Sequence, residues 1–103
     1  MELFKTPLKD CYILKPKIFE DSRGFFFESF NEKLFEDLTG VNVHFVQDNE
    51  SFSTYGVLRG LHFQKEVYAQ AKLVRVIQGE VLDVAVDLRP GSPTFHQWFS
   101  IIL

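Results

Sequence analysis

His62 lies in Gly56-Val-Leu-Arg-Gly-Leu-His-Phe-Gln64, and Lys72 lies in the Val-rich run Ala71 to Ile77 that follows. An imidazole titrates near neutrality and is the usual general base at pH 7. An ammonium in an otherwise apolar strand is costly unless it is paired or used. Strand alternation puts Leu58, Gly60, His62 and Gln64 on one face, and Lys72, Val74 and Val76 on one face of the next strand. A single strand histidine is more often a structural hydrogen-bonder; what marks His62 is that both faces can line one interior. Base and cation then share a pocket suited to removing an acidic C–H beside a carbonyl, the base taking the proton and the ammonium stabilising the enolate oxygen. Asp83, grouped by alternation with Val81 and Ala85, is either the counter-ion that orients His62 or Lys72 or a carboxylate at a strand edge. Epimerisation also requires a proton on the opposite face, and C-terminal to Lys72 only His96 offers itself.

Binding groups accompany this chemistry. Gln47-Asp48-Asn49 ends a strand with three groups able to bond sugar hydroxyls or carbonyls. Arg23 and Arg59 can each hold a phosphate with a forked guanidinium, although a surface arginine is usually only solvated. Five residues separate Gly56 from His62, and six separate Lys72 from Gly79. That frame resembles the metal-binding strand pair of cupins, with Gln64 in place of a second His and Lys72 in place of a Glu. An amide and an ammonium do not replace an imidazole and a carboxylate around a divalent cation. The expectation is a barrel pocket with no metal and no cofactor, and a metal-dependent cupin holding iron, zinc or manganese is disfavoured.

The elements that must position these residues read as mostly β. Tyr12-Ile-Leu and Lys17-Ile-Phe are short strands split by Pro16, and Asp21-Ser-Arg-Gly24 is a turn in which Gly24 is free to take positive φ. Phe25 to Phe30 reads as a strand carrying Glu28. Asn31 caps a helix near residues 32–39 whose Leu34, Phe35 and Leu38 fall on one face, and Gly40 closes it. Val43 to Asp48, Gly56 to Gln64, Ala71 to Ile77, Val81 to Leu88 and Gln97 to Leu103 are strand-like, with Gln78-Gly79 as a tight hairpin turn. Asp87-Leu-Arg-Pro-Gly-Ser-Pro is turn chemistry. Short strands at regular spacing predict a sandwich or barrel. The apolar strand Trp98 to Leu103 needs a neighbour on its other edge, which suggests a chain shortened relative to its fold.

At 103 residues the chain is a single domain, 1–103, short for a complete two-sheet barrel. Its net charge of −3 and lack of a basic stripe argue against nucleic acid. Met1-Glu-Leu-Phe-Lys has no signal-peptide character, and no stretch approaches the roughly 20 apolar residues of a membrane span. One cysteine, Cys11, reads as a packed residue in a reducing cytosol. The twelve Phe are unusual, and the run Phe25 to Phe27 exceeds what alternate burial explains. Extra core and interface packing is the expectation for most of them, with a ligand site or a subunit interface as the alternative for some.

Four stretches in order carry a more specific resemblance: Asp21-Ser-Arg-Gly-Phe-Phe-Phe-Glu28, Phe45-Val-Gln-Asp-Asn49, Gly56 to Gln64, and Gln70 to Arg89. From about residue 3 onward the sequence resembles the dTDP-4-dehydrorhamnose 3,5-epimerase family. The resemblance implies a metal-independent, all-β cupin jelly roll, here incomplete at the C-terminus, that inverts C3 and C5 of dTDP-4-dehydro-6-deoxy-D-glucose on the way to dTDP-L-rhamnose. It makes His62 the proton acceptor and Lys72 the enolate-stabilising cation, and it places Arg23, Glu28, Gln47, Asn49 and Arg59 on the nucleotide sugar. It further implies a cytoplasmic homodimer with exchanged N-terminal strands, so that Arg23 and Glu28 serve the other subunit's pocket. Family members continue past the point matching Leu103 with a Tyr proton donor, a second substrate His and an Asp that pairs with the catalytic His. The alternative is an impaired cupin that only binds nucleotide sugar or serves as a structural dimer.

Overall fold

Three antiparallel hairpins and one helix carry the regular structure of the chain, which a computed structural model describes over residues 1–103. β1 (Glu2–Lys5) pairs with β2 (Tyr12–Lys15), placing Leu3 opposite Leu14 and Phe4 opposite Ile13. The sequence reading anticipates β2 but not β1, which becomes a strand through its register with Tyr12–Lys15. The connection is closed by Thr6, whose Oγ1 accepts the Leu8 N–H at 3.2 Å and donates to the Cys11 carbonyl at 2.8 Å. Leu8, held under this turn, is the one buried apolar side chain.

β3 (Ile18–Asp21) and β4 (Gly24–Phe27) form a second hairpin, with Phe19 opposite Phe26 and a two-residue loop, Ser22-Arg23. Asp21 makes the turn: its Oδ1 accepts the Arg23 N–H at 2.9 Å, and Gly24 follows at φ 135°. The strand expected to reach Phe30 stops at Phe27, because Ile18, opposite Phe27, is where β3 begins and nothing remains to pair with Glu28 onward.

Helix α1 (Glu32–Thr39) matches its expected bounds. Asn31 Oδ1 accepts the Leu34 N–H at 3.0 Å, and Gly40 ends the helix at φ 70° with its N–H on the Glu36 carbonyl. Leu34, Phe35 and Leu38 are its half-buried face. Phe35 joins Phe30 and Phe45 in an aromatic triangle with ring centres 5.4–6.0 Å apart, and the helix rests against β1. It is not long enough to cross a membrane, and no other helix is.

β5 (Leu82–Val86) and β6 (Trp98–Ile102) make the third hairpin, extended by Val81 and Leu103, which exchange both backbone bonds at 3.1 and 2.9 Å. Trp98 to Ile102 therefore finds a neighbour on one edge, and its other edge stays open.

Residues 41–81 depart from expectation. Val43 to Asp48, Gly56 to Gln64 and Ala71 to Ile77 form no strands, and the one regular feature there is a 3-10 turn at Glu66–Tyr68. A strand exists only where its backbone groups find a ladder partner, and none of these segments lies in register with a neighbour in this chain. Gln78-Gly79 is accordingly a bend instead of the expected hairpin turn. The accessible surface of 9297 Å² far exceeds the roughly 6,000 Å² of a compact monomer of this mass. An all-β chain with one short helix is what forms, with its sheets open instead of closed on one another.

Candidate active site

The three residues expected to carry chemistry occupy different elements. Asp83 sits in β5, half-buried, opposite Ile101. His62 and Lys72 lie on either side of the 3-10 turn, both exposed. No hydrogen bond or ion pair joins the three to one another. Gly60 shapes the presentation of the imidazole: at φ 121° it takes a backbone conformation that side-chain-bearing residues rarely adopt. A Cβ at Gly60 would also stand 4.0 Å from His62 Nδ1.

The expected binding residues are all exposed, and all but Asp48 hydrogen-bond to near neighbours in the chain. Gln47 Nε2 donates to Asn49 Oδ1 at 3.3 Å, so these two are brought together on the stretch that also bears Asp48. Arg59 reaches back with Nε on Ser53 Oγ at 3.0 Å and Nη2 on the Phe52 carbonyl at 3.1 Å, leaving other guanidinium donors free. Glu28 Oε2 accepts from Asn31 Nδ2 at 3.2 Å. Arg23 grips Asp21 through Nε and Nη2, which lowers the Asp21 carboxyl from its usual value and raises the guanidinium. Both side chains face solvent, so the pair orders the turn more than it stabilises the fold. The Arg75 guanidinium stands 6.0 Å from the Phe27 ring centre, joining the segment that bears Lys72 to the hairpin that bears Arg23.

Two surface depressions, of 340 and 300 Å³, lie elsewhere: one along the Thr6 to Asp10 turn, the other between α1 and His44. Neither takes in a residue expected at the site. No three His, Cys, Asp or Glu side chains converge as a metal ion would require.

One polar cluster is absent from the sequence reading, which takes Asp87 to Pro93 only as a turn. Asp87 is the single buried charged residue. Its carboxylate accepts from Arg89, Ser92 and Thr94, which hold its pKa far below the carboxylate range, Arg89 foremost. The Arg89 guanidinium is raised in turn, first by Asp87 and then by Asp10. The available signal is the spacing Asp-x-Arg-x-x-Ser-x-Thr, three donors within a loop short enough to close on one carboxylate.

Comparison with known proteins bears on this arrangement as a whole. The family model described as dTDP-4-dehydrorhamnose 3,5-epimerase matches residues 5–103. The dTDP-4-dehydrorhamnose 3,5-epimerase of Shigella flexneri is 59% identical over the full chain, which covers 57% of that relative. The crystal structure of dTDP-4-dehydrorhamnose 3,5-epimerase from Elizabethkingia anophelis is 63% identical and superimposes with a TM-score of 0.94 over 100% of this chain and 56% of that one. The dTDP-6-deoxy-D-glucose-3,5-epimerase of Legionella pneumophila, solved in complex with dTDP-4-keto-L-rhamnose, is 54% identical with a TM-score of 0.93, over 99% of this chain and 54% of that one. The chain thus spans little more than half the length of the relatives it matches. Those structures are cupin-like jelly rolls, and the backbone here follows them throughout, including the segments that form no ladder of their own.

Proposed function

The chain belongs to the dTDP-4-dehydrorhamnose 3,5-epimerase family, and from that premise we propose that it carries the proton-abstracting side of a nucleotide-sugar epimerase. The substrate is dTDP-4-dehydro-6-deoxy-D-glucose. Its C3 and C5 both flank the C4 ketone, so removing either C–H yields an enolate on the same oxygen. His62 takes the proton and the Lys72 ammonium stabilises that oxygen as charge develops. Asp83 orients one of the two. Arg23, Glu28, Gln47, Asp48, Asn49 and Arg59 hold the nucleotide sugar, the guanidiniums serving the diphosphate. The proton that completes inversion comes from a donor outside this set. This chemistry needs an acid, a base and a cation, and calls for no cofactor.

The observation that supports the reading is the continuity of the match, 63% identity over a span that covers the whole chain. The keto sugar bound by the Legionella relative has the ketone this chemistry requires. The functional unit on this reading is a cytoplasmic homodimer with exchanged N-terminal strands, supported by the aromatic side chains that β3 and β4 leave exposed and by an unpaired cysteine.

Incubation with the 4-keto sugar in D2O tests it, with deuterium read at C3 and C5. Label at either carbon supports the proposal. Background label from folded protein, while a full-length relative exchanges alongside, overturns it. A second reading, binding without turnover, is favoured by the exposure of His62 and Lys72. Calorimetry with dTDP separates the two, since binding without label selects the second.

A further inference from the structure

The cluster around Asp87 divides into two sets of bonds. One set is local: Asp87 accepts the Arg89 N–H at 3.0 Å, Arg89 Nε and Nη2 at 2.9 Å each, and the Ser92 and Thr94 hydroxyls at 2.6 Å each. The other set crosses most of the chain. Arg89 Nη1 donates to Asp10 Oδ2 at 2.8 Å, Arg89 Nη2 donates to the Lys9 carbonyl at 2.7 Å, and the Lys9 N–H donates to Thr94 Oγ1 at 3.1 Å. These three bonds tie the β1–β2 turn to the β5–β6 connection, although the two hairpins belong to separate sheets.

We propose that Arg89 is the shared fork of a two-stage ionic latch, held by the 87–94 loop and engaged by the β1–β2 turn. In the first stage the 87–94 loop closes on Asp87 by itself, using groups no more than seven residues apart. That closure fixes the guanidinium, with Nη1 and one edge of Nη2 facing outward. In the second stage the preset fork captures the Asp10 carboxylate and the Lys9 carbonyl, a bidentate geometry that Lys cannot reproduce. The first hairpin is thereby fastened to Arg89, three residues beyond the end of β5 and six beyond Asp83. The inner carboxylate, Asp87, is shielded, whereas the outer one, Asp10, is half exposed, so the outer stage opens without the inner one.

Residue-resolved hydrogen exchange on the intact protein tests this. The Lys9 amide is expected to exchange at least about ten-fold more slowly than in an unstructured peptide. In Asp10→Asn it is expected to approach the peptide rate, while the amides of Arg89 and Thr94, bonded to Asp87 and Ser92, keep their wild-type rates. An unprotected Lys9 amide, one indifferent to Asp10→Asn, or equal acceleration at Lys9 and Thr94 would each overturn the two-stage latch. Should that variant fold poorly, unsubstituted protein supplies the reading. Salt raised to about 0.5 M screens the half-exposed pair and is expected to speed Lys9 alone; an unchanged Lys9 rate would count against the latch.

Discussion

Asn31 Nδ2 lies 3.2 Å from Glu28 Oε2 while Oδ1 of the same amide accepts the Leu34 N–H at 3.0 Å. One side chain thus caps α1 and holds a residue proposed to bind the nucleotide sugar, and two substitutions separate the duties. Asn31→Asp keeps the cap and suits the helix N-terminus, but sets a like charge against Glu28. It is expected to leave the melting temperature near wild type and to raise KM for the nucleotide sugar several-fold. Asn31→Ala removes both contacts and is expected to cost about 1 kcal/mol of stability. An unchanged KM in Asn31→Asp would remove Glu28 from the binding set.

His62 and Lys72 are exposed, so their removal has little packing to disturb. His62→Asn and Lys72→Met are each expected to change stability by no more than about 0.5 kcal/mol. Loss of a positioned general base is expected to lower the rate of deuterium entry by about 10²–10⁴-fold. A chemical melt beside the exchange assay checks both. Exchange that survives His62→Asn would assign proton abstraction to another group.

Local chemistry was legible in the sequence and partnership was not. The Asp21 to Gly24 turn and the Asn31 and Gly40 caps are decided by residues within a few positions, and all three form as expected. Val43 to Asp48, Gly56 to Gln64 and Ala71 to Ile77 have the composition of strands, but alternation names a face and not a neighbour. Without a ladder partner they remain unpaired, and with them His62 and Lys72. β1 is the converse case, four residues with no readable period that become a strand because Tyr12–Lys15 offers them a register. Asp87 escaped notice because its partners gather only once the loop closes.

Acid should act on the Asp87 cluster in a defined direction. Arg89 first, then Ser92 and Thr94, holds the folded carboxyl below the value of about 3.9 it has in an unfolded chain. A depressed folded pKa contributes stability that is complete above the unfolded value and lost as pH falls below it toward the folded value. The melting temperature is therefore expected to drop steeply below about pH 4. Asp87→Asn is expected to melt lower at neutral pH and to show a shallower acid slope. Parallel slopes for the two proteins would trace acid sensitivity to other carboxylates.

The β3–β4 hairpin carries exposed aromatic side chains on both faces. Phe19 and Phe26, directly opposite, are 54% and 70% exposed, and Phe25, 69% exposed, stacks on Phe27 across the other face with ring centres 6.0 Å apart. Burying one such side chain is worth about 1.5–3 kcal/mol, and both strands also leave a free hydrogen-bonding edge. A second copy satisfies both needs at once, because a pair of hairpins exchanged about a two-fold axis covers the same patch twice. Sedimentation velocity is expected to show a dimer. Phe26→Asp places a charge at the centre of that patch and is expected to weaken association by at least about ten-fold, or 1.4 kcal/mol. The local turn at Asp21 and Arg23 does not involve Phe26, so the hairpin is expected to persist in the variant. A monomeric wild type, or a Phe26→Asp dimer of undiminished affinity, would mean that these aromatics are covered by something other than a second copy of the chain.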